Sequence, residues 1–334
     1  MSVNVAIVGA TGAVGQEFLI VLAERKFPIK SLKLLASAKS AGKSVTFAGT
    51  QYTVEELTKE SFKGIDIAFF SAGGSISKEF APAAVAAKAV VIDNTSAFRL
   101  KDGIPLVVPE VNPEQISKHV GIIANPNCST IIMNVPVWPL HKVNRVKRII
   151  VSTYQAVSGA GAWGLYELEA QIQAYASGQP MKKEKFPHQI ANNLFSHNTK
   201  IAANGYNEEE NKMVNETRKI FGDPRIMITA TCIRVPVPRA HSESINLEFE
   251  RPIMPDQVRK ILSKAPGVKI VDDAEANYFP MPLEASGQDG VLVGRIRQDI
   301  SREDGKGIEI FVSGDQIRKG AATNAVQIAE KLIA

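Results

Sequence analysis

Cysteine is scarce in this sequence: Cys128 and Cys232 are the only two in 334 residues. A secreted disulfide framework carries more thiols at telling spacings, so a reducing cytosol is the expected compartment. No apolar run approaches the ~18–20 residues needed to span a bilayer, which removes a membrane-spanning role. The start, Met1-Ser2-Val3-Asn4-Val5, has no basic n-region and reads as a strand, not a signal peptide. Histidine is sparse as well, five in all and scattered, with no H-E-x-x-H or similar spacing, so no metal is expected. Thirty-nine Lys and Arg against 34 Asp and Glu leave a formal charge of +5, spread without a block or stripe. Nucleic acid is therefore not an expected partner. So mild a positive balance suits anionic small molecules, or simply a solvated surface.

What is present is a change of texture along the chain. Up to about residue 125, short apolar runs at 3–8, 32–36, 65–70, 90–92 and 120–124 alternate with helical patterns through about residue 25 and over 77–88. Continuous apolar strands alternating with helices predict a parallel sheet covered on both faces. Beyond residue 128 the strands lengthen and carry polar interruptions, over 149–155, 225–237, 244–250, 291–300 and 307–313. That texture predicts a mixed or antiparallel sheet open on one face. Residues 319–333 read as an amphipathic helix. At this length, two domains are expected.

Three motifs carry chemistry. The first is Gly9-Ala10-Thr11-Gly12-Ala13-Val14-Gly15, after the first strand and opening a helix. Glycines there allow a tight turn and a close approach to a pyrophosphate, which the helix N-terminus favours. The second concerns the end of the next strand, where an NAD enzyme places Asp or Glu about 20 residues after the glycines. No acid lies between Glu24 and Glu55; Ser37, Lys39 and Ser40 stand there instead. Lys39 and Ser40 suit a 2′-phosphate and point to NADP. Gly42-Lys43-Ser44 is not an ATPase phosphate loop, because that motif needs glycine at Ser37. The third is Asn125-Pro126-Asn127-Cys128-Ser129-Thr130, between a strand and an apolar helical run from Ile131. A cysteine near a helix N-terminus ionises below its free pKa of ~8.5 and becomes a candidate nucleophile. On position alone, a small buried thiol is an equal reading. Cys232 lies within a strand and reads as structural.

These motifs, with Gln155-Ala156-Val157-Ser158-Gly159-Ala160-Gly161 and Arg234-Val235-Pro236-Val237 followed by His241-Ser242, stand in an order that resembles bacterial aspartate-semialdehyde dehydrogenase over essentially the whole chain. The resemblance implies a Rossmann-type dinucleotide-binding domain plus an α+β catalytic and dimerisation domain with a mixed sheet. The expected boundaries are 1–128 with 317–334, and 129–316. It implies that Cys128 forms the acyl thioester, Gln155 orients the acyl group and His241 is the acid/base. Substrate contacts would fall to Arg99, Asn127, Glu209, Lys212 and Arg234, the last on the α-carboxylate. Cofactor contacts would come from Gly9, Thr11, Gly12, Ala13, Val14 and Gly15, from Ser37, Lys39 and Ser40, and from Ser158, Gly159 and Gln316. Gln316 departs from the asparagine more usual there. The implied substrates are L-aspartate 4-semialdehyde, or L-4-aspartyl phosphate, and phosphate, handled by a homodimer or homotetramer in amino-acid biosynthesis toward lysine, diaminopimelate, threonine and methionine.

Chemistry supports these residue types. A soft thiolate cleaves an acyl phosphate, His moves a proton near neutral pH, and Arg grips an anion with two donors. Taken singly, Arg99 and Lys212 read more readily as solvated surface charges and His241 as an exposed loop histidine; falling together on one family pattern reverses that reading. One rival is N-acetyl-γ-glutamyl-phosphate reductase, which is expected to flank its cysteine with Gly and Tyr, where this chain has Asn127 and Ser129. The other is a catalytically silent dinucleotide-binding paralogue, which would typically have lost the Cys or the His.

Overall fold

A computed structural model describes residues 2–334, and the chain divides into two compact units, Met1–Asn127 with Gly320–Ala334, and Cys128–Lys319.

The first unit begins with β1 (Val3–Val8), α1 (Ala13–Glu24) and β2 (Ile29–Ala36). A small antiparallel hairpin follows, β3 (Ser44–Phe47) with β4 (Thr50–Thr53), and then β5 (Glu55–Glu56). The unit continues through β6 (Ile67–Phe70), α2 (Gly74–Ala86), β7 (Val90–Asp93) and β8 (Ile122–Ala124). Its six-stranded sheet has the order β5-β2-β1-β6-β7-β8, and every neighbouring pair is parallel. Val5, Ile7 and Val8 are fully buried, as β-branched runs in a doubly covered parallel sheet must be. The last helix of the chain, Thr323–Ile333, packs Ala325, Val326, Ile328 and Ala329 into the same core as Ile7, Phe18, Leu22 and Ile123.

The second unit contains α3 (Cys128–Val143), β9 (Val146–Gln155), α4 (Ala162–Ala176), β10 (Phe195–Ser196), α5 (Glu208–Phe221), β11 (Met227–Arg234) and β12 (His241–Phe249). It ends with α6 (Pro255–Leu262), β13 (Val268–Ile270), α7 (Pro282–Ala285), β14 (Val291–Gln298) and β15 (Gly307–Gly314). Its seven-stranded sheet is mixed, in the order β10-β11-β9-β12-β15-β14-β13. Alternation is plain along β12, where Ile245, Leu247 and Phe249 are buried and Ser244, Asn246 and Glu248 are half-buried. On β9 the outward positions include exposed Tyr154.

Several expected boundaries move, for physical reasons. The strand expected to run to residue 237 stops at Arg234, because Pro236 and Pro238 have no N–H for a ladder. The helix expected from Ile131 starts at Cys128 itself. The final helix is preceded by a π-helical turn, Arg318–Ala322, and its first half is buried on all sides rather than amphipathic. Among the described residues, no helix is long and apolar enough to cross a membrane, and no group of three His, Cys, Asp or Glu is placed to hold a metal.

Candidate active site

In the first unit, the Gly9 to Gly15 loop joins the C-terminal end of β1 to α1. The backbone N–H groups of Gly9 and Ala10 donate to Leu35 O at the end of β2, at 2.8 and 3.2 Å. This ties the loop to the segment holding Ser37, Lys39 and Ser40, a single 3-10 turn over Ala38–Ser40 with Lys39 exposed. A Cβ on Gly15 would lie 2.2 Å from Gly9 O, so only glycine lets the helix begin this close to the turn. Gly12 caps α1 without a side-chain hydrogen bond, and no acid occupies the first turn. A helix start with no side-chain cap and no competing carboxylate fits a pyrophosphate. The loop therefore has the shape and charge a dinucleotide requires.

Arg99 is buried in the same unit. Its Nε donates to Asn125 O at 2.9 Å and its Nη2 to Asn94 O at 2.8 Å, so two strand-end loops fix its plane. Asn125 is held in turn by Asn94 and by Asn324 of the final helix, at 2.6 Å each, while Asn127 beside it is buried.

In the second unit, Cys128 opens α3 and is half-buried, with no disulfide to Cys232. Three elements converge there. Gln155 ends β9, Arg234 ends β11 directly opposite it in the parallel pair, and His241 opens β12. Gln155 Nε2 donates to Ser129 Oγ at 2.6 Å and to Glu209 Oε1 at 3.0 Å. Lys212 Nζ donates to Glu209 Oε2 at 3.0 Å, one helical turn on. Glu208, Glu209 and Glu210 point to three different places. Glu208 is exposed, Glu209 faces Gln155, and Glu210 forms a capping box with Asn207 and accepts the Cys232 N–H.

His241 is fully buried, and burial pushes its pKa well below the usual histidine value, with Arg234 adding to the effect. The ring is neutral at working pH. The Ala156 N–H donates to its Nδ1 at 3.0 Å, so the ring proton sits on Nε2. Arg234 is also buried, its Nη1 donating to Ala156 O at 2.6 Å and its guanidinium carbon 5.9 Å from the Phe186 ring centroid. A Cβ on Gly159 would lie 3.2 Å from both Arg234 Nη1 and His241 Nε2, so this position keeps the two groups together by having no side chain. Ser158 and Gln316 are bonded to each other at 2.5 Å, and Gln316 Oε1 accepts the Ala240 N–H at 2.8 Å.

Residues the sequence did not single out also belong here. Ser129 bonds Gln155, and His197 bonds Arg234 from a loop beyond the two-residue β10. Such a short strand has no periodicity to read. Cys232 contrasts with Cys128: it is fully buried, burial pushes its thiol pKa up, and its Sγ lies 3.8 Å from Met213 Sδ.

Family models described as the semialdehyde dehydrogenase NAD-binding domain and the semialdehyde dehydrogenase dimerisation domain match residues 4–119 and 137–319. An aspartate-semialdehyde dehydrogenase of Synechocystis is 55% identical over 331 residues, spanning 99% of this chain and 97% of that protein. Another, of Aquifex aeolicus, is 55% identical over 337 residues, spanning 100% and 98%. The crystal structure of aspartate semialdehyde dehydrogenase II from Vibrio cholerae, complexed with ASA, superimposes with a TM-score of 0.96 at 48% identity, covering 100% of this chain and 98% of that one.

Proposed function

This chain belongs to the aspartate-semialdehyde dehydrogenase family, and from that premise we propose a residue-level route for the reaction L-aspartate 4-semialdehyde + phosphate + NADP⁺ ⇌ L-4-aspartyl phosphate + NADPH + H⁺. The observation that carries it is the buried set Gln155, Arg234 and His241 around the helix that starts at Cys128.

In the reductive direction, Cys128 Sγ attacks the acyl carbon and phosphate leaves, forming a thioester. The bound nicotinamide supplies the hydride. His241 holds a proton at Nε2, donates it toward the acyl oxygen as negative charge grows there, and takes it back as the C–S bond breaks and the aldehyde forms. Gln155, fixed by Ser129 and Glu209, orients the acyl group. Arg234 grips the α-carboxylate, and Glu209 offers its charge to the substrate ammonium. In the second unit Lys212 binds phosphate; in the first, Arg99 offers a guanidinium suited to an anion, with Asn127 in the loop before the nucleophile. The first-unit glycine loop carries the dinucleotide, and Lys39 with Ser40 takes the 2′-phosphate of NADP. Within the second unit, Ser158, Gly159 and Gln316 are assigned to cofactor contacts.

The dimerisation-domain match over 137–319 supports a homodimer, and the reduced thiol the route requires supports the cytosol. The test is phosphate-dependent NADP⁺ reduction with a panel of semialdehydes. L-aspartate 4-semialdehyde should be turned over fastest, and N-acetyl-L-glutamate 5-semialdehyde scarcely at all. Preference for the latter would overturn the reading.

A further inference from the structure

Arg234 has a partner that the reaction route does not use. Its Nη2 lies 2.7 Å from His197 Nε2. A guanidinium can only donate, so Nε2 must be the accepting nitrogen and the ring proton sits on Nδ1. Nδ1 lies 3.3 Å from Thr199 Oγ1, which also accepts the Glu209 N–H at 3.3 Å. The His197 backbone N–H donates to Cys232 O at 2.8 Å, and Phe195 pairs with Arg234 across β10 and β11. The loop is therefore pinned in register with the very residue its side chain touches.

We propose that His197 is a positioning residue that sets the plane of the Arg234 guanidinium and so selects substrates bearing an α-carboxylate. The proposal rests on the reading of Arg234 as the carboxylate site. With Nη1 held by Ala156 O and Nη2 by His197, the fork has two fixed anchors of different kinds. A carboxylate then meets a guanidinium that has already lost its rotational freedom. Burial pushes the His197 pKa down to about 4, so the accepting lone pair is present at working pH. The charged groups around it are Glu209, which favours protonation, and Arg234 and Lys212, which oppose it.

The test compares L-aspartate 4-semialdehyde with 3-aminopropanal, the same aldehyde without its carboxylate. His197→Ala should raise KM for the first by about 10- to 100-fold, the range expected for losing a hydrogen bond to a charged group. Its kcat, and KM for phosphate and NADP⁺, should change less than about threefold on that scale. Turnover of 3-aminopropanal should be unchanged. His197→Gln, whose amide oxygen can stand in for Nε2, should restore most of the lost affinity. An unchanged KM in His197→Ala, a parallel loss on both aldehydes, or no advantage of Gln over Ala would each overturn the proposal. If His197→Ala does not fold, His197→Gln against His197→Met makes the same comparison. Arg234→Ala keeps the two questions apart: equal losses on both aldehydes refute the carboxylate site itself, whereas a selective loss there without one at His197 refutes only the positioning role.

Discussion

The Ala156 N–H points at His241 Nδ1 at 3.0 Å, and the Ala156 carbonyl accepts from Arg234 Nη1 at 2.6 Å. One residue thus fixes both the tautomer of His241, the proposed proton carrier, and the aim of Arg234, the proposed carboxylate grip. His241→Asn removes the carrier without disturbing Arg234. Activity should fall by about 10²–10⁴ with fold and cofactor affinity kept, as for loss of a positioned acid/base. A loss under about tenfold in single-turnover measurements, on the same scale, would show His241 to be merely structural.

Arg234→Lys keeps the charge and loses the planar fork. Most activity should go, and it should go mainly through KM for the semialdehyde. Near-normal kcat/KM in this variant would contradict the carboxylate role. Lys212→Ala should instead weaken phosphate binding, read as a raised KM for phosphate at constant kcat.

The two thiols should separate under mild alkylation. Cys128 opens a helix and is half-buried, whereas Cys232 is sealed and its thiol held protonated by burial. Label should enter at Cys128 first, with activity falling in step, and saturating acyl phosphate should protect it. Cys128→Ala should abolish turnover and spare NADP binding; Cys232→Ala should keep most activity. After a brief quench with acyl donor and no NADPH, mass spectrometry should find the acyl group on the Cys128 peptide. Its appearance on Cys232 would end the thioester route.

Lys39 stands exposed just beyond β2, where NAD enzymes keep an acid. Lys39→Ala should chiefly raise KM for NADP⁺. Equal kcat/KM for NADP⁺ and NAD⁺ in the unaltered protein would refute the 2′-phosphate assignment.

Glu243 predicts a pH signature in stability. It is fully buried on β12, neither carboxyl oxygen has a hydrogen-bond partner among the described residues, and burial pushes its pKa well above the ordinary 4.5. Below that ordinary value the folded and unfolded chains are both protonated, and nothing is lost. As pH rises past it, the unfolded chain releases a proton the folded chain keeps, and stability falls until the folded carboxyl also ionises. Glu243→Gln removes this dependence. Its Tm should match the parent near pH 4 and exceed it by roughly a few degrees near pH 7. A Tm difference that does not vary with pH would show the carboxyl to be ionised or neutral in both states alike.

How far the site could be read from sequence depended on how local each signal is. The glycine loop and the Asn125 to Thr130 run are contiguous, and each sits at a strand-to-helix junction that composition alone marks. Arg234 and His241 lie far from Cys128 along the chain, and they meet it through strand register, Arg234 opposite Gln155, which no local pattern encodes. They were accessible only through resemblance to a known family. Helix α5 carried a legible start and stop, Asn207 with Glu210 as a capping box and Gly222 in the left-handed conformation, and could have been read. Knowing that Glu210 caps the helix leaves Glu209 as the acid facing inward. The β3–β4 hairpin escapes notice because its strands are mostly polar and its turn is Ala48-Gly49, both at positive φ, and not Asn-Gly.

The final helix has a consequence for how the protein is made. Asn324 holds both Val107 O and the Asn125 side chain, and Ala325 to Ala329 close the core beneath Ile7 and Ile123. A ribosome producing this chain finishes all of Cys128–Lys319 before it delivers that helix. The first-synthesised sheet therefore lacks the Ala325 to Ala329 part of its core until the whole of the later unit has been made, and exposes apolar surface of the kind chaperones bind. Domain order in synthesis and domain order in completion are reversed.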